Sequence, residues 1–498
     1  MDPEEFRKAA YQSIDYIVDY YKSLQSRPVV SEVSPGYLRN LLPEDIPQDP
    51  ESWDTILNDF NTKIVPGLTH WQSPNFLAFF PANTSFPSIL GETFSAAFSA
   101  PAFNWICSPA VTELETIVLE WLAKLLALPK AFHSVGQGGG VIQGSASEAV
   151  VVAMIAARDR YLRDMVAAKY DDERKREAAI SAARGRLVAF ASDQTHSSTH
   201  KAAIVAGVKF ISIPTWVENQ YSLTGASLLQ AIEEADKQGL LPFFLTASLG
   251  TTAICAVDRF DEIAQVTADR PEIWKHIDAA YAGAALICPE FQHYLNGVGD
   301  HYDSFDMNLH KWLLVNFDAS CLYVRNRSNL TQALTLTPTY LRNSATDSGL
   351  VIDYRDWQIP LGRRFRALKV WFVFRTFGAT GLRKHIYKSL AVGQKFTDAI
   401  KTRPDLFSIV TEPRFGLTVF QVLPNKDKDN NNNHETANDV TKRVAEQIDK
   451  DGYIFLTVAV VDGKVSIRVV SGSPWATEEN MGNVFAYILK VSEHTRNK

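Results

Sequence analysis

The first 50 residues show two patterns in succession, an amphipathic helix and a proline-broken arm. Between residues 4 and 24 apolar side chains recur at helical spacing, which predicts one long amphipathic helix. Five prolines between residues 28 and 50 then break the chain into an irregular arm. Because this helix and arm have no core of their own, their apolar face must cover another surface. That surface belongs either to the same subunit or to a second copy of the chain.

From about residue 86 to residue 370 helical stretches alternate with short apolar strands. The helices include 111–127 and 148–166. The strands include Leu187–Phe190, Phe243–Ala247, Ile273–Ile277 and Ala319–Val324. This alternation predicts an α/β domain with a mainly parallel sheet covered by helices on both faces. Ligands of such sheets bind at the carboxyl ends of the strands.

The last 130 or so residues predict a small α+β domain. Residues 415–424 form one strand, and residues 454–470 form a hairpin with Asp462-Gly463 at its turn. The Asn-rich stretch 425–439 starts with the spacing of a calcium loop, but Asn432 and Asn438 replace its glycine and its last carboxylate. We interpret it as a polar, mobile loop without a metal. The expected domains are therefore 1–85, 86–368 and 369–498.

Composition excludes several classes of protein. Among 498 residues, 50 are Lys or Arg and 56 are Asp or Glu, so the net charge of -6 does not fit a nucleic-acid binder. The basic residues between 174 and 186 are flanked or interrupted by acidic ones, from Asp171 to Glu177, and indicate a solvated helix face. Four cysteines without paired spacing favour a reducing compartment. The N-terminus does not resemble a signal peptide, and no apolar run is long enough for a membrane helix. We therefore expect a cytoplasmic protein that binds neither nucleic acid nor membrane.

Lys311 stands in unusual surroundings for a lysine. It follows His310 and is itself followed by aromatic and aliphatic residues, which we expect to lead into an apolar strand. A buried ammonium group is costly, and burial lowers the pKa of the amine and makes it nucleophilic. A Schiff base with an aldehyde cofactor fits these surroundings better than a surface lysine does.

Asp278 ends an apolar strand 33 residues before Lys311, a spacing that fits neighbouring strands of one sheet. An acid there either caps the following helix or holds the ring nitrogen of pyridoxal phosphate protonated.

Residues 136–160 resemble a phosphate site. Glycine-rich backbone leads through Ser145, Ala146 and Ser147 into a long helix, whose N-terminal N–H groups attract anions. Ser147 is equally a candidate N-cap, with Glu148 in the first turn. The absence of GxGxxG and of a P-loop lysine argues against dinucleotides and nucleoside triphosphates.

His196 follows the strand Leu187–Phe190. It is either a structural histidine or a side chain that stacks on a planar ring at the end of the sheet. Lysine, acid, phosphate loop and histidine on one α/β sheet together indicate a cofactor enzyme.

These stretches resemble the aromatic-L-amino-acid decarboxylases, which are group II pyridoxal-phosphate-dependent enzymes. The resemblance covers nearly the whole chain and weakens after about residue 400. Its most specific segments are residues 70–82, 108–115, 138–149, 248–258, 276–285, 308–318 and 353–369. It implies the aspartate-aminotransferase-like fold (fold type I), pyridoxal 5′-phosphate as cofactor, and a homodimer with active sites at the interface.

The resemblance also implies a role for each matching residue. Lys311 forms the Schiff base, Asp278 pairs with the ring nitrogen, and His196 and Ala280 pack on opposite faces of the ring. The phosphate group is bound by Ala146, Ser147, Asn308 and His310. Thr252 orients Asp278 or the ring, whereas Arg355 lies next to the pocket without an assigned role. The aromatic substrate pocket is lined by Trp71, Phe80, Gly362 and, from the second subunit, Phe103.

Three positions bear on the reaction or the substrate. Tyr340, in the segment 335–349 that resembles the family's catalytic loop, is expected to donate a proton to Cα, and a tyrosine there favours decarboxylation over aldehyde formation. His196, where other members have Asn, points the same way. Gly362 leaves room for an indole, which favours tryptophan-like substrates. The selectivity from such a difference in pocket size is modest, about 1–3 kcal/mol.

Phe79, Ala82 and Leu309 depart from the commoner family pattern, and the first two change the mouth of the pocket. Four alternatives remain open. They are an aromatic acetaldehyde synthase, a decarboxylase of a non-aromatic amino acid such as histidine or glutamate, a cofactor-binding protein without catalysis, and an aminotransferase.

Overall fold

The computed structural model describes residues 1–336, 345, 351–425 and 435–497. These residues form two compact units. The small unit comprises Met1–Pro81, Ala391–Glu412 and Thr418–Lys498, and the large unit comprises Ala82–Leu390 and Pro413–Leu417.

The large unit is built on a seven-stranded sheet with the order β1-β7-β6-β5-β4-β2-β3. The strands are Gly139–Gln143 (β1), Leu187–Ser192 (β2), Lys209–Ile213 (β3), Leu241–Ser248 (β4), Trp274–Asp278 (β5), Ser304–Asn308 (β6) and Ser320–Val324 (β7). Strands β2 to β6 pair in parallel, and β7 runs antiparallel to both β1 and β6. The prediction of a mainly parallel α/β sheet is confirmed.

Helices accompany this sheet along the chain. They are Phe86–Phe98 (α4), Pro109–Leu125 (α5), Ala146–Tyr161 (α6), Glu173–Arg184 (α7), Ser197–Ala206 (α8), Gly225–Lys237 (α9), Phe260–Val266 (α10), Leu309–Trp312 (α11), Arg327–Leu334 (α12) and Arg366–Lys401 (α13). The last of these is kinked at Gly378, which has φ 59°. Helix α6 contacts β1 and the strands from β4 to β7, and its alanines and valines fill the core against them.

Most strands of the sheet are buried along their whole length, which explains why they read as continuous apolar runs in the sequence. The mixed basic and acidic residues of α7 are mostly exposed, as the charge pattern predicted. In the described ranges no helix is long and apolar enough to cross a membrane.

The small unit contains a four-stranded sheet with the order β10-β11-β9-β8. Its strands are Phe407–Ile409 (β8), Leu417–Val422 (β9), Thr457–Val461 (β10) and Lys464–Val470 (β11). The chain makes a tight turn between β10 and β11, where Asp462 and Gly463 have φ of 51° and 72°. Two consecutive left-handed residues are the signature of a type I′ turn, so the predicted hairpin is confirmed.

The helices of the small unit are Pro3–Ser23 (α1), Tyr37–Leu41 (α2), Trp53–Asp59 (α3), Ala437–Asp451 (α14) and Glu478–Asn497 (α15). Helix α1 begins with a capping box in which Asp2 and Glu5 each bind the other's backbone N–H. The predicted N-terminal helix is confirmed. In this single chain its residues Phe6, Ile14 and Val18 remain exposed.

The interpretation of residues 425–439 as one loop is wrong at its C-terminal end. Thr436 and Asp439 form a capping box, and α14 begins at Ala437. Asn438, at the last position of the calcium-like spacing, accepts from the Val465 N–H and donates to the Gly463 carbonyl. The side-chain amide of Asn438 therefore binds protein backbone groups rather than an ion. Residues 426–434 lie outside the described residues.

Candidate active site

Two adjacent strands end in the residues that the sequence analysis connected. Asp278 is the last residue of β5, and its Cα partner in the parallel register is Asp306 of β6. Strand β6 ends at Asn308, and Lys311 follows on the single turn α11. The structure therefore brings Lys311 and Asp278 to the carboxyl ends of neighbouring strands, where an α/β sheet binds its ligand.

The residues after Lys311 form no strand, contrary to our expectation. Lys311 lies on the one-turn helix Leu309–Trp312, and β7 begins only at Ser320. The apolar residues Trp312 to Val315 are buried in the core instead. Their apolar character reflects burial, which a short sequence window cannot distinguish from a buried strand.

Lys311 keeps some exposed surface, but its amine is surrounded by protein. Desolvation is the main cause that lowers the pKa of this amine, while the negative charges of Asp278 and Asp306 act to raise it. A larger fraction of neutral, nucleophilic amine is the consequence.

Asp278 is buried and held by the backbone around it. One of its carboxylate oxygens accepts the Ala280 N–H at 3.0 Å, and its own carbonyl accepts the Leu249 N–H at 2.8 Å. The alternative that Asp278 caps the following helix is wrong, because the next helix, Ala282–Ile287, is a 3-10 helix with Tyr281 at its N-cap position. The Asp278 carboxylate is thus fixed at the strand end.

The glycine-rich segment forms β1 and leads directly into α6. The helix begins at Ala146, so Ala146 and Ser147 carry two of its first backbone N–H groups, and both residues are half-buried. These N–H groups have no partner within the helix and suit a phosphate group. The interpretation of Ser147 as the N-cap is wrong, because the Ser145 hydroxyl accepts the Glu148 N–H at 3.1 Å and caps the helix.

His310 and Asn308 flank this part of the site. The Nδ1 atom of His310 accepts the Ala319 N–H at 2.9 Å, so the ring proton lies on Nε2. Burial, followed by the charge of Lys311, lowers the pKa of His310 to about 3. Asn308 is buried, and its Oδ1 has no hydrogen-bond partner among the described residues. A neutral imidazole donor and an incompletely bonded buried amide fit a group with several acceptor oxygens, such as a phosphate.

His196, Ala280 and Thr252 lie in segments that follow β2, β5 and β4. His196 is the N-cap of α8, where its Nδ1 accepts the Ser198 N–H at 3.1 Å. Its side chain is exposed in this chain, yet its pKa is lowered, mainly by partial desolvation. The charges of Asp278 and Lys311 act on His196 in opposite directions, which puts all three side chains in one electrostatic neighbourhood. Thr252 is exposed and Ala280 half-buried.

The expected pocket residues are divided between the two units. Trp71 and Phe80 belong to the small unit, where Trp71 stacks on Phe79 at 5.7 Å and Arg468 lies 5.4 Å from the centre of the Phe80 ring. Phe103 and Gly362 belong to the large unit.

Phe103 and Gly362, the pocket residues of the large unit, have different surroundings. The Phe103 carbonyl accepts the Arg355 N–H at 3.1 Å. Gly362 is exposed, and a Cβ atom there would meet no atom of the described part of the chain within 4 Å. Tyr340, the expected proton donor, lies outside the described residues.

Two features of the site were not foreseen. Asp258 is buried and accepts the N–H groups of Ser248 and Leu223, at 2.7 and 2.8 Å, and so closes the loop that carries Thr252. His276 and Asp306 form a buried pair next to Asp278. The sequence signal was polar residues at alternate positions of HID and SFDMN, which marks one face of each strand as polar.

A buried lysine with a lowered amine pKa, a fixed carboxylate and a helix N-terminus at one edge of a mainly parallel sheet are the features of a pyridoxal-phosphate-dependent enzyme of fold type I. Residues 35–423 match the family model described as the pyridoxal-dependent decarboxylase conserved domain. This match covers more than half of the chain, and the protein therefore belongs to the pyridoxal-dependent decarboxylase family.

Comparison with individual proteins agrees with this assignment. The chain is 42% identical to a phenylacetaldehyde synthase of Arabidopsis thaliana over 100% of its own length and 98% of that protein's. It is 47% identical to an aromatic-L-amino-acid decarboxylase of Rattus norvegicus, over 85% of this chain and 86% of that protein. The crystal structure of Oryza sativa TDC with PLP and tryptamine superposes with a TM-score of 0.93, at 38% identity, over 100% of this chain and 99% of that one.

Proposed function

We propose that this protein is a pyridoxal-phosphate-dependent carboxy-lyase that converts aromatic L-amino acids into the aromatic amine and carbon dioxide. The observation that carries the proposal is the juxtaposition of Lys311 and Asp278 at the carboxyl ends of β5 and β6, with burial lowering the pKa of the lysine amine. The matched family and the names of the similar proteins support the reaction and the class of substrate.

The residues that hold the cofactor are assigned by their chemistry. The first N–H groups of α6, at Ala146 and Ser147, bind the phosphate group together with the Nε2–H of His310 and the amide of Asn308. Lys311 attaches the aldehyde through its neutral amine. When bound, pyridoxal phosphate supplies the electron sink for the bond to the substrate carboxylate.

The remaining residues of the large unit orient the reacting groups. Asp278 keeps a proton on the ring nitrogen, because its carboxylate is anchored by the Ala280 N–H and sits beside Lys311. His196 covers one face of the ring and the small side chain of Ala280 leaves the other face accessible. Thr252 orients Asp278 or the ring from the loop that Asp258 closes.

The aromatic pocket is assigned to Trp71, Phe80, Gly362 and the Phe103 of a second subunit. We infer a homodimer in which each site borrows this phenylalanine. The inference is supported by apolar side chains that stay exposed in the single chain. On α1 these include Phe6 at 64% and Tyr11 at 68% exposure, and on α4 they include Phe98 at 64%. Exposed apolar patches of this kind mark interaction surfaces.

We also place the protein in the cytoplasm. All four cysteines lie in the described part of the chain and none forms a disulfide, as is usual for proteins of a reducing compartment.

Substrate choice is tested with the purified protein, reconstituted with pyridoxal phosphate, on tryptophan, 5-hydroxytryptophan, tyrosine, dopa, phenylalanine, histidine and glutamate. We expect amine and carbon dioxide from the aromatic acids alone. Lys311→Ala should abolish turnover and borohydride trapping. Lys275→Ala is the matched control, since Lys275 is also buried with a lowered pKa but lies within β5. Turnover of histidine or glutamate without that of any aromatic acid would contradict the proposal, as would trapping that persists in Lys311→Ala.

The second candidate is an aromatic acetaldehyde synthase, because a phenylacetaldehyde synthase is 42% identical along the whole chain. Protonation of Cα by Tyr340 directs the reaction to the amine. We therefore expect Tyr340→Phe to lose most of the amine and, with dissolved O2 as the oxidant and one water consumed, to release aldehyde, carbon dioxide, ammonia and hydrogen peroxide instead. Peroxide and amine are assayed in parallel for both proteins. Peroxide from the unaltered protein would favour the synthase, and amine alone from Tyr340→Phe would refute the assignment of Tyr340.

A further inference from the structure

A chain of buried polar side chains runs along β5 and β6 towards Asp278. The Nε1–H of Trp274 donates to the Ser304 Oγ at 2.7 Å, and that hydroxyl lies 2.8 Å from the Nδ1 of His276. The Nε2 of His276 lies 3.0 Å from an oxygen of Asp306, and neither of these two side chains has any exposed surface. Four polar groups are thus linked within the core of the sheet.

The hydrogen bonds in this chain have a fixed direction. An indole N–H can only donate, so the Ser304 oxygen accepts from Trp274. The hydroxyl hydrogen of Ser304 is then directed at the His276 Nδ1, which accepts it. The ring proton of His276 consequently lies on Nε2 and is donated to Asp306. Trp274 and Ser304 therefore orient His276 as a donor to the carboxylate.

Asp306 is placed where its charge acts on the site. It is the register partner of Asp278, and partners on parallel strands point to the same face of the sheet. The charged and titratable groups around Asp306 are His276 and Asp278 on β5, Lys311 on α11 and Cys321 on β7. The second carboxylate oxygen of Asp306, Oδ2, is buried and accepts no hydrogen bond from any residue that the structure describes.

Such a carboxylate is costly to the fold. Burial, and then the negative charge of Asp278, raise the pKa of Asp306 to about 6, whereas the hydrogen bond from His276 lowers it. Without His276 the carboxyl group would take up a proton near neutral pH and its charge would be lost. A buried, half-satisfied anion next to a cofactor site calls for a functional reason.

We propose that His276 serves to keep Asp306 ionised, so that the buried negative charge of Asp306 favours the protonated form of the Lys311 nitrogen in the Schiff base with the cofactor. His276 and Asp306 are positioning residues, since they act through Asp278 and Lys311. This inference rests on the proposed function, because it assumes that Lys311 carries pyridoxal phosphate.

The first measurement is a pH titration of the visible absorbance of the lysine–cofactor Schiff base in the resting holoenzyme, without substrate. Asp306→Asn keeps the size of the side chain and removes its charge. We expect the midpoint of the titration to fall by about one pH unit, because one opposite charge next to the protonated nitrogen is lost. An unchanged midpoint in Asp306→Asn overturns the inference.

Two substitutions of His276 test the hydrogen-bond chain. His276→Leu removes the donor and should lower the midpoint as much as Asp306→Asn does. His276→Gln retains an acceptor for Ser304 and a donor for Asp306, and should titrate like the unaltered protein. The double variant His276→Leu, Asp306→Asn should shift no further than Asp306→Asn alone, because both changes remove the same charge. A Gln variant that shifts fully overturns the inference, and this variant together with Asp306→Asn decides the matter if the Leu variant does not fold.

Asp303→Asn is the matched control. Asp303 is a buried carboxylate one residue before β6, at the opposite end of the strand, and is paired with Arg160 at 2.9 Å. Its replacement should destabilise the protein without moving the midpoint, and an equal shift would show a global effect and overturn the inference. If the unaltered protein forms no absorbing, borohydride-trapped adduct at all, the proposed function fails and this inference with it. An adduct with unmoved midpoints overturns this inference alone.

Discussion

At the scale of single residues, one buried ion pair fixes the segment that contains Gly362. The guanidinium of Arg363 donates to both oxygens of Glu115, at 2.9 and 2.7 Å, and neither side chain is more than 1% exposed. Glu115 also accepts the Ile142 N–H at 2.8 Å, and Arg363 lies 4.6 Å over the ring of Tyr354. Helix α5, strand β1 and the Gly362 segment are thereby joined through two side chains.

Arg363→Met should destabilise the protein by about 3–5 kcal/mol, because it leaves the Glu115 carboxylate buried without its partner. The double variant Glu115→Met, Arg363→Met should lose less, since no unpaired charge remains. Chemical denaturation of the three proteins measures both effects. Arg403→Met is the control, because Arg403 pairs with Asp405 and Glu493 on the surface and such pairs contribute little. Equal losses in Arg363→Met and Arg403→Met would contradict this account.

The sequence predicted the residues whose chemistry contrasts with their neighbours. Lys311 and Asp278 stand out because each adjoins an apolar run, and the structure brings both to one edge of the sheet. The pair Glu115–Arg363 could not be predicted, because its members are 248 residues apart. His276 and Asp306 were missed for another reason. The polar alternation is visible within each strand, but that the two residues are neighbours follows only from the register of β5 and β6.

At the scale of secondary-structure elements, the junction of β1 and α6 combines a helix cap with the proposed phosphate site. We expect Ser145→Ala to destabilise the fold by about 1 kcal/mol through loss of the cap. It should also speed the loss of pyridoxal phosphate, because the first N–H groups of α6 would be less well ordered. Asp172→Ala is the control, as Asp172 caps α7 by accepting the Lys175 N–H at 2.9 Å.

Unfolding is followed by circular dichroism, and cofactor release by absorbance during dialysis. Both variants should lose similar stability, but only Ser145→Ala should release the cofactor faster. Equal rates of cofactor release from the two variants would show that the cap of α6 does not affect phosphate binding, and would contradict the assignment of the phosphate site to this helix N-terminus.

Several elements could be predicted from local sequence. The strands β2 and β4 are largely apolar runs, α1 has apolar residues at helical spacing, and the β10–β11 hairpin has its own turn residues. The residue at which α6 begins was harder to predict, because Ser145 and Ser147 are both reasonable N-caps and only the backbone geometry distinguishes them. The segment after Lys311 was assigned to a strand because burial in a core and burial in a sheet leave the same apolar pattern.

At the scale of the whole molecule, the division 1–85, 86–368 and 369–498 stays a prediction. The compact units instead collect segments that are far apart in the sequence, such as Met1–Pro81 with Thr418–Lys498. Hydrophobic periodicity cannot reveal that grouping, since it reports only on neighbours along the chain. The exposed apolar residues of α1 and α4 raise the question of what covers them in solution.

If each active site contains residues of two subunits, two impaired variants should restore activity to each other in a mixed dimer, which monomers could not do. Lys311→Ala and Phe103→Ala should each be strongly impaired when pure. If Phe103 acts in the neighbouring subunit, a mixed dimer of the two variants contains one site with an intact Lys311 and an intact Phe103. Unfolding and refolding an equal mixture should then restore about a quarter of the normal activity, because half of the dimers are mixed and each has one complete site.

The control is a refolded mixture of Lys311→Ala and Asp278→Asn. Each site takes Lys311 and Asp278 from the same chain, at the ends of neighbouring strands, so no mixed dimer gains a complete site. Recovery in the control as large as with Phe103→Ala, or no recovery with Phe103→Ala, would refute a borrowed phenylalanine.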